Sequence, residues 1–228
     1  MRVLLYGGTF DPPHYGHLNN LQAAVQRVRP DEIVVMPAGV PPHKRATATP
    51  AFLRLEMCKA FSALTQNGPS APVLTISDWE IQQALQGRRN YTVLTLEMLA
   101  QDRPQADLYL TIGSDMLLSF DAWVRWQDIL RLAKLVVVSR NIGDDAALHA
   151  KAKQLDPTGA RILFAPAETL PMASSELRAR LAAGELCTEE LPEIVRSIIQ
   201  REGLYRGEKE VREYGPKTGK GPCAQPTE

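Results

Sequence analysis

Six short apolar runs, none of them broken by alternating polar residues, set the tightest limit on what this chain can become. They cover residues 3–6, 33–36, 73–77, 108–112, 135–139 and 162–165. A strand with one wet face alternates apolar and polar positions. Uninterrupted runs suit strands buried on both faces of a parallel sheet. The stretches between them carry helical signals: residues 18–28, residues 51–64 behind Thr49-Pro50 as cap and first position, and residues 91–101 with Val93, Leu94, Leu96, Met98 and Leu99. Strand and helix in alternation predict an α/β fold, a Rossmann-like doubly wound parallel sheet with helices on both faces.

The first run leads into Gly7-Gly8-Thr9-Phe10-Asp11-Pro12-Pro13-His14-Tyr15-Gly16-His17, where a helix should begin. Strand, glycine turn and helix start together make a phosphate site. The turn brings backbone close to the ligand, and free N–H groups face an anion with the positive end of the helix dipole. His14 and His17 lie three residues apart, so one helical face can present both to one ligand. Zinc is the rival ligand, because Asp11, His14, His17 and His43 could supply donors. However, no cysteine lies near them and the pattern is not HExxH.

At 228 residues, with 44% hydrophobic and 23% charged, the chain is an ordinary globular length of sequence. Its 26 basic and 26 acidic residues cancel, so no overall field favours nucleic acid or an anionic membrane. Cys58, Cys187 and Cys223 are far apart and form no CxxC pair. They read as free thiols of a reducing compartment. With no signal-peptide pattern and no apolar run of spanning length, the expected location is the cytoplasm.

Near the end, Leu191, Ile194, Val195, Ile198 and Ile199 repeat at helical spacing, with Glu189 and Glu190 expected in the first turn and Gly203 as the stop. Residues 207–228 are rich in glycine, proline and alternating charge and nearly lack large apolar side chains. They are expected to form a disordered tail behind a single domain of residues 1–206.

The turn sequence His14-Tyr15-Gly16-His17 resembles the (H/T)xGH motif of the nucleotidylyltransferase superfamily. In its longer form, GGTFDPPHYGH, it is most similar to the bacterial nicotinate-nucleotide adenylyltransferases. Four further segments carry the same resemblance, in order, up to about residue 205. Each also has a plain structural reading.

Pro37-Ala38-Gly39-Val40-Pro41-Pro42-His43-Lys44 follows the second run and should share a crevice with the glycine turn. It could be a stiff surface loop. The family's PPHK segment implies that Lys44 meets the triphosphate. Tyr91-Thr92 opens a helix whose amides and hydroxyl suit a carboxylate, or whose start is simply capped by Asn90. The resemblance to YTxxTL implies that it receives the pyridine acid group. Gly113-Ser114-Asp115 ends the fourth run. Ser114 or Asp115 could cap a helix, and the family's IGxD motif implies contact with the nucleotide. Just beyond, Trp123 is implied to stack on the pyridine ring, while Trp126 is expected in the core. Met172-Ala173-Ser174-Ser175-Glu176-Leu177-Arg178 puts hydroxyls and a guanidinium at a helix start. It resembles ISSTxIR, with Ala173 and Ser175 in place of the usual serine and threonine.

No GxGxxG or GxxxxGK[ST] signature is present. The resemblance implies adenylyl transfer from ATP to nicotinate mononucleotide by direct in-line attack. His17 would contact the α-phosphate, with His14, Lys44 and Arg178 on the leaving pyrophosphate. Gly7, Gly8, Thr9, Phe10, Ser174 and Ser175 would line the substrates. Mg2+ would arrive with ATP and need no protein ligands. The alternatives are a pantetheine-phosphate adenylyltransferase, which typically has threonine at the place of His14, a non-catalytic nucleotide-binding regulator, and a metal-binding module.

Overall fold

The computed structural model describes residues 1–39, 49–65, 71–139, 145–168 and 170–206. All six apolar runs are strands: β1 (Arg2–Gly8), β2 (Glu32–Pro37), β3 (Val73–Ile76), β4 (Asp107–Gly113), β5 (Ala133–Ser139) and β6 (Ile162–Pro166). They form one sheet in the order β3-β2-β1-β4-β5-β6, and every pairing is parallel. The sheet is the doubly wound kind the sequence predicts. Its strand order reverses between β1 and β4, and the crevice outside their carboxyl ends is where such sheets hold ligands.

Along the inner strands both faces are buried, which explains the missing alternation there; the edge strand β3 departs from the expectation, being only partly buried with Val73 exposed, because a sheet edge has a neighbour on one side alone. Along β1, Val3 and Leu5 join one core cluster while Leu4 and Tyr6 join the other. Along β5, Leu135 and Val137 divide from Val136 and Val138 in the same way. The first cluster lies under α4 (Thr92–Asp102), α5 (Ser114–Leu118), α6 (Trp126–Leu132) and α7 (Asp145–Leu155); the second lies under α1 (Tyr15–Val28) and a 3₁₀ segment, Cys58–Thr65. A third cluster joins α2 (Ala51–Met57), α8 (Ser174–Ala182) and α9 (Glu193–Glu202) through Leu53, Met57, Leu177, Val195 and Ile198. The other helical elements among the described residues are α3 (Trp79–Leu85) and a 3₁₀ turn, Phe120–Ala122. Truncating a fully buried strand residue such as Leu4 to alanine should cost about 2–5 kcal/mol. Among the described residues, no helix is long and apolar enough to cross a membrane.

Several helix ends differ from the sequence expectation. Helix α1 starts at Tyr15, three residues before position 18, because His14 itself occupies the cap. Pro50, not Thr49, is the cap of α2, and the helix tightens to 3₁₀ at Cys58. Helix α9 begins at Glu193 behind Pro192, so Glu189 and Glu190 lie outside its first turn. Gly203 does stop it, with φ 62°.

Candidate active site

The site grows from the end of β1. The Gly8 carbonyl accepts from Ala38 N–H at 2.8 Å, which binds the glycine turn to the loop after β2. A Cβ on Gly8 would stand 2.7 Å from the Phe10 ring, so only glycine fits beneath it. Phe10 has φ 49°, a left-handed conformation that costs an ordinary residue about 1–2 kcal/mol. Burial of its ring offsets that cost: Phe10 packs against Tyr6, Phe61 and His17, with centroids 5.1–5.4 Å away. The Asp11-Pro12 peptide is cis.

His14 caps α1 in extended backbone, and its imidazole lies 3.8 Å from that of His17, centroid to centroid. The two histidines are therefore brought together as the spacing predicts. The backbone N–H of His14 donates to His17 Nδ1 at 3.2 Å. An Nδ1 that accepts leaves Nε2 as the proton-bearing nitrogen, a hydrogen-bond donor. Tyr6 holds the same residue from below, its hydroxyl donating to the His17 carbonyl at 3.1 Å. His14 is buried and His17 half-buried.

Three loop carbonyls are gripped from outside. Thr9 O accepts from Arg54 Nη1 at 2.8 Å, Asp11 O from Arg178 Nη1 at 2.7 Å, and Pro12 O from the Ser174 hydroxyl at 3.0 Å. Arg178 and Ser174 are thus close to the turn, as expected, and here they hold its backbone. Ser174 and Ser175 are the first two residues of α8 behind Ala173, which occupies the cap. Asp11 is buried, and its Oδ1 accepts from the Tyr205 hydroxyl at 2.6 Å. Burial, and then the Asp11 bond, push the Tyr205 phenol well above its ordinary value.

On the other face, Tyr91 caps α4 and Thr92 is its first residue, both half-buried. Asn90 does not cap the helix. Its amide donates to the Glu80 carbonyl at 2.7 Å, which leaves the α4 amides uncovered by a side-chain cap. Glu80 accepts from the Thr95 hydroxyl at 2.7 Å, and burial raises its pKa despite that bond. Gly113 caps α5, so Ser114 and Asp115 follow the cap rather than provide it. The Asp115 carboxylate folds back to 2.6 Å from where a Gly113 Cβ would stand, so a side chain there would turn this exposed carboxylate away. Trp123 packs on Phe120 with centroids 5.2 Å apart and stays half-exposed, leaving ring surface for a partner. Trp126 flanks the core beside it.

His43 and Lys44 lie outside the described residues, as do Cys223 and residues 207–228. Among the described residues, no three His, Cys, Asp or Glu side chains gather as metal ligands. Cys58 and Cys187 are free, buried thiols. The residues that sequence reasoning missed are Arg54, Tyr205 and Glu80. Arg54 left a readable trace: it falls on the same helical stripe as the buried Leu53 and Met57, where a charge needs a reason.

A parallel sheet with a histidine-bearing helix start at its switch point defines a nucleotide-transferring fold. Residues 5–180 match the cytidylyltransferase-like family, and the chain belongs to it. Within that family the chain groups with the nicotinate-nucleotide adenylyltransferases. It is 35% identical over 218 residues to a probable nicotinate-nucleotide adenylyltransferase of Acidithiobacillus ferrooxidans, covering 90% of this chain and 95% of that one. With its counterpart in Clostridium tetani it shares 33% over 204 residues, 89% of this chain and 98% of the other. Its fold is similar to that of the Plasmodium falciparum nicotinic acid mononucleotide adenylyltransferase complexed with NaAD, with TM-score 0.68 and 18% identity over 90% and 97% of the two chains.

Proposed function

We infer that this chain transfers the adenylyl group of ATP to nicotinate mononucleotide, giving deamido-NAD and pyrophosphate. The observation that carries the reading is the paired His14 and His17 at the start of α1, set at the β1 end of the switch point. The mononucleotide phosphate is already an anion, so it attacks the α-phosphorus without a protein nucleophile or general base. What the protein supplies is position and charge stabilisation.

In this reading His17 donates from Nε2 to the α-phosphate as negative charge builds there. His14 and Lys44 meet the leaving pyrophosphate. Arg178 reaches it by exchanging part of its bond to the Asp11 carbonyl for phosphate oxygens. The α4 start at Tyr91-Thr92 receives the pyridine carboxylate, Trp123 stacks on the ring, and Asp115 accepts from a ribose hydroxyl. Gly7, Gly8, Thr9 and Phe10 bring backbone close to the phosphates. Among the described residues the donor set offers imidazole, guanidinium and amide groups to phosphate oxygens, and no three His, Cys, Asp or Glu side chains gather to hold a bare cation. Mg2+ is accordingly expected to arrive on ATP, adding neutralisation of the leaving charge. The reducing, cytoplasmic setting expected from the free thiols belongs to the same reading.

The test is pyrophosphate release from ATP with the purified full chain against nicotinate mononucleotide, nicotinamide mononucleotide and phosphopantetheine. Highest kcat/KM with the first supports the assignment. Highest with phosphopantetheine would replace it with the pantetheine branch, and no release with any substrate would favour a nucleotide-binding regulator.

A further inference from the structure

Arg54 is a fully buried cation with no carboxylate bonded to it among the described residues. Its relative exposure is 1%, and it ranks among the largest fully buried side chains. Nη1 donates to Thr9 O at 2.8 Å and Nη2 to Gly39 O at 3.2 Å, while Nε has no partner among the described residues. Burial lowers its pKa, and the field of Asp11 opposes that shift. A guanidinium buried against neutral carbonyls is an expensive way to stabilise a fold. An apolar side chain would fill the same stripe of α2 at lower cost. The placement makes sense if the two carbonyls must be held.

These two carbonyls belong to the loops that leave β1 and β2 at the ligand end of the sheet. In a trans peptide the C=O and the next N–H point in opposite directions. Fixing Thr9 O toward Arg54 therefore turns the Phe10 N–H away from it. Holding Gly39 O fixes the last described residue before the segment that carries Lys44. Behind Arg54, the Tyr205 hydroxyl holds the Asp11 carboxylate at 2.6 Å, with Arg178 Nη1 at 4.0 Å from the other oxygen. Tyr205 itself adopts φ 60°, a left-handed conformation, and packs against the core cluster around α9.

We propose that Arg54, backed by Asp11 and Tyr205, is a positioning residue for adenylyl transfer, acting through the Thr9 and Gly39 carbonyls rather than on substrate. It aims the phosphate-binding amide of the β1 turn and fixes Gly39 just after β2. The proposal rests on the adenylyl-transfer reading.

The experiment compares the full-length parent with Arg54→Lys and Tyr205→Phe, well below each melting temperature. Lysine keeps the charge but cannot fork between two carbonyls in one plane. Arg54→Lys should lower kcat for deamido-NAD formation about 10–100-fold, while the Kd of nicotinate mononucleotide, followed by tryptophan fluorescence, moves less than about 3-fold. Tyr205→Phe, which removes a single oxygen, should lower kcat about 3–10-fold with the same split. A purely structural role would lower activity only in proportion to the folded fraction and leave kcat per folded molecule unchanged; that result overturns the proposal. If Arg54→Lys does not fold, Tyr205→Phe decides, and parent-like kcat in that variant is equally fatal. Failure of the functional reading looks different. The parent itself would then prefer another mononucleotide, and the same ratios would be read with that substrate.

Discussion

Two arginines tie strands and helices together at opposite ends of one sheet, and their surroundings are reversed. At the amino end, Arg103 at the close of α4 binds Glu32 of β2 through two bonds of 2.7 and 2.6 Å, and Thr75 of β3 adds a third to the same carboxylate. The pair is charge-matched and partly solvated. The Arg103 bond drives the Glu32 pKa down, and Glu32 drives the Arg103 pKa up. At the carboxyl end, Arg54 is buried against neutral carbonyls, and burial drives its pKa down. One end satisfies its charge and closes the sheet. The other buries a guanidinium that bonds only backbone carbonyls among the described residues, with the Asp11 carboxylate acting on it through its field, beside the histidines. This division is what a sheet with its chemistry at the carboxyl ends requires. Helix α4 spans it, with Thr92, which is proposed to meet the substrate, at its first position and Arg103 after its last turn.

The largest effect that bears on this contrast is expected at the carboxyl end. His17→Ala should lower kcat about 10²–10³-fold, the scale for losing one preorganised donor, while the lost bond from the His14 N–H lowers the melting temperature by only about 2–4 °C. An unchanged kcat in folded protein would remove His17 from the chemistry and blur the contrast at once.

A smaller effect sharpens it at the α4 start. A helix N-terminus offers donors and positive potential, and a carboxylate accepts from all of them, whereas an amide leaves a donor facing donors. The mismatch costs about 1–3 kcal/mol, and the lost dipole interaction about 0.3–1 kcal/mol more. The parent should therefore prefer nicotinate over nicotinamide mononucleotide by at least about tenfold in kcat/KM. Thr92→Val should erode that preference mainly through the acid substrate. Equal efficiency with both substrates would detach Tyr91-Thr92 from substrate recognition.

The smallest effect is expected at the amino end and should be confined to stability. Glu32→Gln should cost about 1 kcal/mol, between an exposed pair and a buried charge-assisted bond, or roughly 2–4 °C of melting temperature. Because the folded-state pKa of Glu32 lies below its ordinary 4.5, its contribution is present above that value and is lost as pH falls through the folded-state value. The gap between parent and variant should shrink correspondingly in acid. Kinetics at neutral pH should match the parent. A change in the acid-to-amide ratio would show that α4 transmits strain from one end to the other and that the two ends are not independent.

The local pattern of the sequence was enough to specify the strands, the burial of the inner ones on both faces and the parallel, doubly wound class, because each depends on apolar periodicity within a few residues; it did not show that β3 would be a partly exposed edge. The same holds for the glycine turn with its two histidines: spacing alone brings His14 and His17 onto one turn of α1. The sequence located the Gly203 stop of α9 but missed several helix starts. Asn90, Ser114 and Thr49 are good caps by residue type, yet Tyr91, Gly113 and Pro50 take those places; for Asn90 the reason is a bond to the distant Glu80 carbonyl, which occupies its amide. Nor could it reveal that Arg54 meets Thr9, 45 residues away, or that Tyr205 meets Asp11, 194 residues away. Those contacts exist only after α2, α8 and α9 pack into their own core against the loops of the sheet. A hydrogen bond between such distant residues leaves no period in the chain, so only the tertiary structure could decide it.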